Sequence, residues 1–242
     1  RFDCVVSDYQ MPERDGLEFC ADVREVYPDL PFILFTSKGS EEIASEAISV
    51  GVTDYLQKGS GRERYALLAN RIKNAAERSR SKRRADDQRR INQVVSRINR
   101  ALVRTTSRPE VEARVCEIFA ESEPYLFAWI GDVDESSGRI VPRASAGAEE
   151  GYLDAVTITA DDRDTGQGPA GVAVRERRVA IAQRIGEDKD FSPWREAALE
   201  RGYRACACVP LEYRGSNYGV LCLYSDSVGA FGTEEGPKDS LQ

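Results

Sequence analysis

The 242 residues predict two domains of different class joined by a helix. Residues 1–78 read as an α/β domain with a parallel sheet. Residues 79–105 read as a basic helical connector, and residues 106–242 as an α+β domain with a mainly antiparallel sheet. Three observations carry this. Short apolar runs alternate with helical patterns up to Gly61, the mark of a parallel sheet covered on both faces. No Gly or Pro occurs between Gly61 and Pro109, so nothing interrupts a helix there. Beyond Pro109, alternating apolar segments separated by turn residues read as strands. The length suits two domains, and 41% hydrophobic with 31% charged residues suits packed cores.

In the first domain, residues 3–7 form a short apolar run ending at Asp8, and Met11-Pro12 prevents its continuation. Gly16 to Val26 is helical, with Leu17, Cys20 and Val23 on one face. Phe32 to Phe35 is a second buried strand, ending at Thr36-Ser37. Ser40 is the expected N-cap of a helix carrying Ile43, Ala44, Ala47 and Ile48 to a stop at Gly51. Asp54 to Leu56 is a third strand, ending at Lys58-Gly59, and a new helix starts near Arg62. In such sheets the chemistry lies at the carboxyl ends of the strands. Here those ends offer a carboxylate (Asp8), a hydroxyl (Thr36) and an ammonium (Lys58). That set suits acceptance of a phosphoryl group: the carboxylate attacks while the cation and the hydroxyl bind the phosphoryl oxygens.

The segments SDYQMPERDGLEF, ILFTSKG and TDYLQKG, in this order and spacing, resemble the second half of a response-regulator receiver domain. The resemblance implies a flavodoxin-like fold, truncated here. It implies Asp8 as phosphoacceptor, Thr36 as the hydroxyl that reports phosphorylation, Lys58 as the site lysine and Tyr55 as a rotating aromatic. Pro12 and Gly16 match the loop after the phosphoacceptor, and the backbone carbonyl of Gln10 is the implied metal ligand beside Asp8. The implied cofactor of a complete receiver is Mg²⁺, and the implied partner is a histidine kinase. Gly59 departs from the proline the family usually has there. The two strands and helices that open a receiver, with the acidic pair that holds Mg²⁺, are not in this sequence, so Cys4-Val5-Val6 is expected at an exposed sheet edge.

Charge is distributed in blocks: residues 1–70 carry net −6, residues 71–104 net +9 and residues 105–242 net −10. The stretch 78–90 has almost no apolar face and is expected in solvent. Ile91, Val95, Ile98 and Leu102 then follow at spacings of 4, 3 and 4, a short heptad-type seam. It predicts either a helix lying on the next domain or a parallel pairing of two protomers, with the pair favoured. The cations surround the helix instead of forming one stripe and no aromatic interleaves them, so nucleic-acid contact is expected only through a module outside this sequence.

In the last domain, Ser107-Arg-Pro-Glu110 fits a capping box ahead of a helix through Val111, Val115, Ile118 and Phe119. Expected strands are Leu126–Val133, Arg139–Ala146, Ala155–Thr159, Val179–Ala182, Arg204–Leu211 and Tyr218–Tyr224. A short helix opens at Gly166-Gln-Gly168-Pro169 and runs to Val174. Another begins at Ser192-Pro193 and ends at Gly202. Gly168-Pro-Ala-Gly171-Val-Ala173, Val209-Pro-Leu211 and Gly219-Val-Leu-Cys-Leu223 resemble a GAF domain whose final helix is absent or barely begun at Thr233. The family binds varied ligands, so the ligand stays unknown. Gly166–Gly171 is not followed by the Lys-Ser/Thr of a phosphate loop. Phe127, Trp129 and Trp194 are expected in the core ahead of a pocket.

Histidine is absent, which excludes His-based triads, His-ligated metals and a phosphohistidine step within the chain. A bilin attached at a Cys beside a His is excluded too. The six cysteines lie mostly in apolar runs and are expected as buried reduced thiols of a cytoplasmic protein. Cys206 and Cys208 are expected to face opposite sides of their strand and to make a poor metal clamp. No apolar run reaches the length of a membrane span. The chain opens with Arg, not Met, and shows no signal-peptide pattern, so it is expected to be part of a longer protein. The order of domains is similar to that of haloarchaeal receiver–GAF signalling proteins. The sequence therefore predicts a two-component phosphorelay protein with a GAF sensory domain. Alternatives are the front of a hybrid sensor histidine kinase or of a bacterio-opsin-activator-like transcription regulator.

Overall fold

A computed structural model describes residues 2–37, 41–59, 61–104 and 107–232. The chain divides into two compact units, residues 1–91 and 92–242.

In the first unit β1 (Val5–Ser7), β2 (Phe32–Thr36) and β3 (Asp54–Gln57) form a parallel sheet in the order β1-β2-β3. The register pairs Val6 with Ile33 and Leu34 with Tyr55. Central β2 is buried at every position, as a strand covered on both faces must be. On one face, α1 (Gly16–Val26) and α2 (Glu41–Val50) enclose Leu17, Cys20, Phe32, Leu34, Ile43 and Ala47. On the other, Ile33, Phe35 and Leu56 receive Leu68, Ile72 and Ala75 of α3 (Arg62–Arg104). β1 stands at the sheet edge with Val6 exposed. The expected Ser40 cap lies outside the described residues.

The α3 helix runs unbroken for 43 residues, about 65 Å at 1.5 Å per residue. The stretch 78–90 is mostly solvent-exposed, and three of its cations make ion pairs, Arg80 with Asp3, Lys82 with Asp29 and Arg89 with Asp86. Further along, Ile91, Val95 and Leu102 are exposed.

The second unit is a five-stranded antiparallel sheet in the order β5-β4-β8-β7-β6. Its strands are β4 (Tyr125–Val133), β5 (Ile140–Gly147), β6 (Ala180–Ala182), β7 (Ala205–Tyr213) and β8 (Ser216–Ser225). One face packs on α4 (Arg108–Ala120) through Cys116, Ala128, Ile130, Leu221 and Leu223. The other face packs on α6 (Pro169–Glu176), α7 (Arg195–Glu200) and the segments around α5 (Tyr152–Ala155).

Three expectations are corrected. Residues 155–159 are not a strand: Tyr152–Ala155 is helical, and only Thr159 bridges, to Arg139. Ser107 occupies the N-cap of α4, but its side chain makes no capping bond. The first turn is instead held by Arg108, which donates to Glu112 and to the carbonyl of Tyr218. Cys206 and Cys208 lie on the same face of β7, both buried in the inner core, because residues two apart on a strand share a face.

Candidate functional site

Asp8, Thr36 and Lys58 follow or close three adjacent parallel strands, and the sheet order brings them to one edge. Lys58 Nζ lies 2.5 Å from Asp8 Oδ2. Tyr9 N–H donates to Asp8 Oδ1 at 2.7 Å. Thr36 is fully buried. Its carbonyl accepts from the Lys58 N–H at 2.6 Å, so the backbone holds Lys58 beside the end of β2. The Lys58 ammonium also stands 5.7 Å from the Phe35 ring centroid. The bond from Lys58, followed by its charge, the Tyr9 N–H and the Thr36 hydroxyl, holds Asp8 below the usual carboxylate range against a smaller opposing effect of burial. Asp8 is thus an ionised, part-exposed carboxylate with a fixed cation.

Tyr55 on β3 is half-buried against the α1–α2 side of the core, and Gln10 is exposed in the loop after β1. That loop is closed by Gly16 N–H donating to Tyr9 carbonyl at 2.8 Å. Gly16 has to be glycine. A Cβ there would stand 2.2 Å from the Asp8 carbonyl oxygen and 2.7 Å from Leu34 Cδ1. Asp15 caps α1 by accepting from Leu17 and Glu18 N–H at 2.8 and 2.9 Å, while Glu18 accepts from Asp15 N–H at 3.0 Å. The sequence signal for this capping box is the spacing Asp15-x-x-Glu18, and the box fixes where the loop ends and the helix begins.

The Asp8 carboxylate and the Gln10 carbonyl that the resemblance implies are hard oxygens of the kind Mg²⁺ takes. Among the described residues, no group of three His, Cys, Asp or Glu could hold a metal. Asp8 and Gln10 do not make a metal site by themselves.

In the second unit, the inner sheet face carries two rows of side chains. Phe127, Tyr224, Cys206 and Ala182 lie across the strands in register, and so do Trp129, Cys222, Cys208 and Ala180. Phe127, Tyr152, Tyr203 and Tyr224 pack as one aromatic cluster with centroids 4.8–6.3 Å apart. Tyr203 donates to the Ala148 carbonyl, and Trp194 Nε1 donates to that of Thr157 at 2.8 Å. A cavity of about 10 Å³ lies among Tyr152, Phe191, Trp194, Cys206, Cys208 and Tyr224. Small-molecule sites span about 300–1,000 Å³, so this face is filled by its own side chains. Phe127 and Trp129 are core, as expected, whereas Trp194 also borders the cavity. The glycines that open α6 serve close packing: a Cβ on Gly168 would meet the Trp194 ring at 2.2 Å, and one on Gly171 the Gly166 carbonyl at 2.2 Å.

These two architectures agree with the families the sequence matches. Residues 105–236 match the GAF domain, and residues 1–70 match the response regulator receiver domain. The chain belongs to the GAF domain family and carries a receiver domain ahead of the GAF domain. A receiver joined to a GAF domain is the make-up of a two-component signalling protein. The chain is 30% identical over 137 residues to the bacterioopsin transcriptional activator of Halobacterium salinarum, covering 55% of this chain and 18% of that protein. It is 43% identical over 60 residues to the cyclic di-GMP phosphodiesterase response regulator RpfG of Xanthomonas campestris, covering 24% of this chain and 16% of that protein. The chain thus spans less than a fifth of the length of either relative. Among solved structures, the A. aeolicus nlh2 GAF domain aligns with TM-score 0.47 and 16% identity, over 62% of this chain and 84% of that one. Among the described residues, no helix is long and apolar enough to cross a membrane.

Proposed function

We propose that the first unit accepts a phosphoryl group on Asp8 and that α3 carries the resulting change toward the GAF domain. The observation that supports this is the Lys58–Asp8 contact at 2.5 Å, beside a buried Thr36, at the carboxyl edge of a parallel sheet. An Asp8 oxygen attacks phosphorus as the bond to the donor breaks. Lys58 then moves from the carboxylate to a phosphoryl oxygen, and the Thr36 hydroxyl binds another. Tyr55, half-buried on the neighbouring strand, turns inward as Thr36 shifts. Asp8 and the Gln10 carbonyl would contribute oxygens to Mg²⁺, which would neutralise charge on the phosphoryl group, and further acidic oxygens would be needed to hold it firmly.

The donor is a histidine kinase. The given sequence has no histidine, so the phosphoimidazole lies outside these 242 residues. The exposed Ile91, Val95 and Leu102, with Ile98 between them, form the seam of a parallel homodimer. The GAF domain acts as a sensory module of a cytoplasmic protein, and contact with nucleic acid falls to a separate output module. That output is either the kinase core of a hybrid sensor kinase or the DNA-binding part of a bacterio-opsin-activator-like regulator. The 30% identity to the Halobacterium activator favours the second.

The test is incubation with phosphoramidate and Mg²⁺ followed by peptide mass mapping. A base-labile, acid-stable label on the peptide holding Asp8 is expected. It is of low stoichiometry because the described residues supply few metal ligands, and Asp8→Asn abolishes it. A label that survives Asp8→Asn rejects the assignment.

A further inference from the structure

Three of the six cysteines meet on the inner face of the antiparallel sheet. Cys206 and Cys208 stand two apart on β7, and Cys222 on β8 is the direct cross-strand partner of Cys208. Their sulfurs form a chain, Cys206 Sγ to Cys208 Sγ at 3.7 Å and Cys208 Sγ to Cys222 Sγ at 2.9 Å. All three are free thiols and at most 1% exposed. Directly opposed residues of an antiparallel ladder have Cα atoms about 4.5 or 5.5 Å apart, and disulfides accept about 4.4–6.8 Å. The Cys208–Cys222 register therefore already satisfies the backbone requirement of a cross-link. The contacts of Cys4, Cys20 and Cys116 are with backbone carbonyls instead.

Cys206 and Cys208 also line the cavity of about 10 Å³ described above. Such a volume admits a molecule the size of water and excludes a peptide-sized disulfide reagent.

We propose that Cys208 and Cys222 are an oxidative modification site, at which a small peroxide converts the two thiols into a cross-strand disulfide. The Cys208 sulfur attacks one peroxide oxygen. The S–O bond forms as the O–O bond breaks, and the thiol proton leaves with the released hydroxide as water. The Cys222 sulfur then attacks the sulfur of Cys208. The S–S bond forms, the S–O bond breaks, and a second water carries off the Cys222 proton. The two sulfurs lose two electrons and the peroxide gains them. Burial pushes all three thiols up, which keeps them protonated and makes the first step slow. The second step meets a sulfur already in contact. The closed bond ties β7 to β8 and stiffens the wall that Cys208 gives the cavity.

The experiment exposes the full chain to hydrogen peroxide under native conditions, removes the peroxide with catalase, and alkylates in guanidinium before peptide mapping. Two of the six cysteines are expected to escape alkylation. A peptide pair holding Cys208 and Cys222, about 2 Da lighter by its two thiol hydrogens, is expected and should revert with dithiothreitol. Cys208→Ser and Cys222→Ser each lose the cross-link, whereas Cys116→Ser keeps it. Glutathione disulfide should leave the native protein with all six thiols and cross-link it only after unfolding. Six alkylated cysteines after peroxide, or a bond joining any other pair or two chains, overturns the proposal. Because the wild-type map alone decides between these outcomes, a variant that fails to fold does not obscure the result.

Discussion

Gly16→Ala tests whether the loop after β1 is as tightly closed as its contacts imply. The new methyl would stand 2.2 Å from the Asp8 carbonyl oxygen and 2.7 Å from Leu34 Cδ1. Either the end of β1 or the start of α1 has to retreat by roughly 1 Å, and overpacking of this kind costs about 1–3 kcal/mol. The obstacle is backbone on one side and a buried leucine on the other, so no flexible side chain can absorb it. At about 1.4 kcal/mol per factor of ten, the opening equilibrium of the first unit should rise about 5- to 150-fold. Hydrogen exchange read by mass spectrometry reports it: amides of β1 and β2 should exchange faster by that factor, while those of β7 and β8 keep their rates. Both tryptophans, Trp129 and Trp194, lie in the second unit, so unchanged tryptophan emission gives an internal control. Moving the Asp8 carbonyl also displaces its carboxylate from Lys58, so labelling of Asp8 should fall with stability. Unchanged exchange in β1 and β2, or an equal change in both units, would refute the steric argument.

Two further predictions concern charge and assembly. Asp8 is held below its ordinary range, so the stabilisation it brings is present above about pH 4 and is lost as the pH falls through its folded value. Lys58→Met removes the largest cause, so a carbon-13 NMR titration should show the Asp8 carboxyl moving up toward the ordinary range. At neutral pH the first unit should lose about 0.5–1 kcal/mol, since the pair is partly exposed; an unmoved titration contradicts the pairing. For the α3 seam, sedimentation across a salt series should show a dimer that tightens as salt screens the basic stretch, and Ile98→Asp should dissociate it. A monomer at every salt rules the seam out.

The sequence carried the order of elements to within a residue or two in the first unit. There each strand is a short apolar run ending in a polar residue, and each helix is bounded by Pro, Gly or a cap. The unbroken α3 was legible from the lack of Gly and Pro, and the convergence of Asp8, Thr36 and Lys58 followed from the rule that parallel strands end on one edge. These signals are local: periodicity and backbone restriction act over a few residues and need no knowledge of distant partners. What only the tertiary structure decided was long-range. The segment 155–159 looked like a strand by composition, but Ala155 closes a helical turn and only Thr159 bridges, to Arg139. Ser107 and Glu110 had the spacing of a capping box, yet the tip of β8 drew Arg108 across α4 and organised that turn another way. The closing of the inner face by Phe127, Tyr152, Tyr203 and Tyr224 depends on four separate segments meeting. The meeting of Cys208 with Cys222, 14 residues apart in the chain, depends on the register of one hairpin. A slip of one residue in that register would turn the pair to opposite faces, and register is set by burial of the whole face rather than by the residues that come to touch.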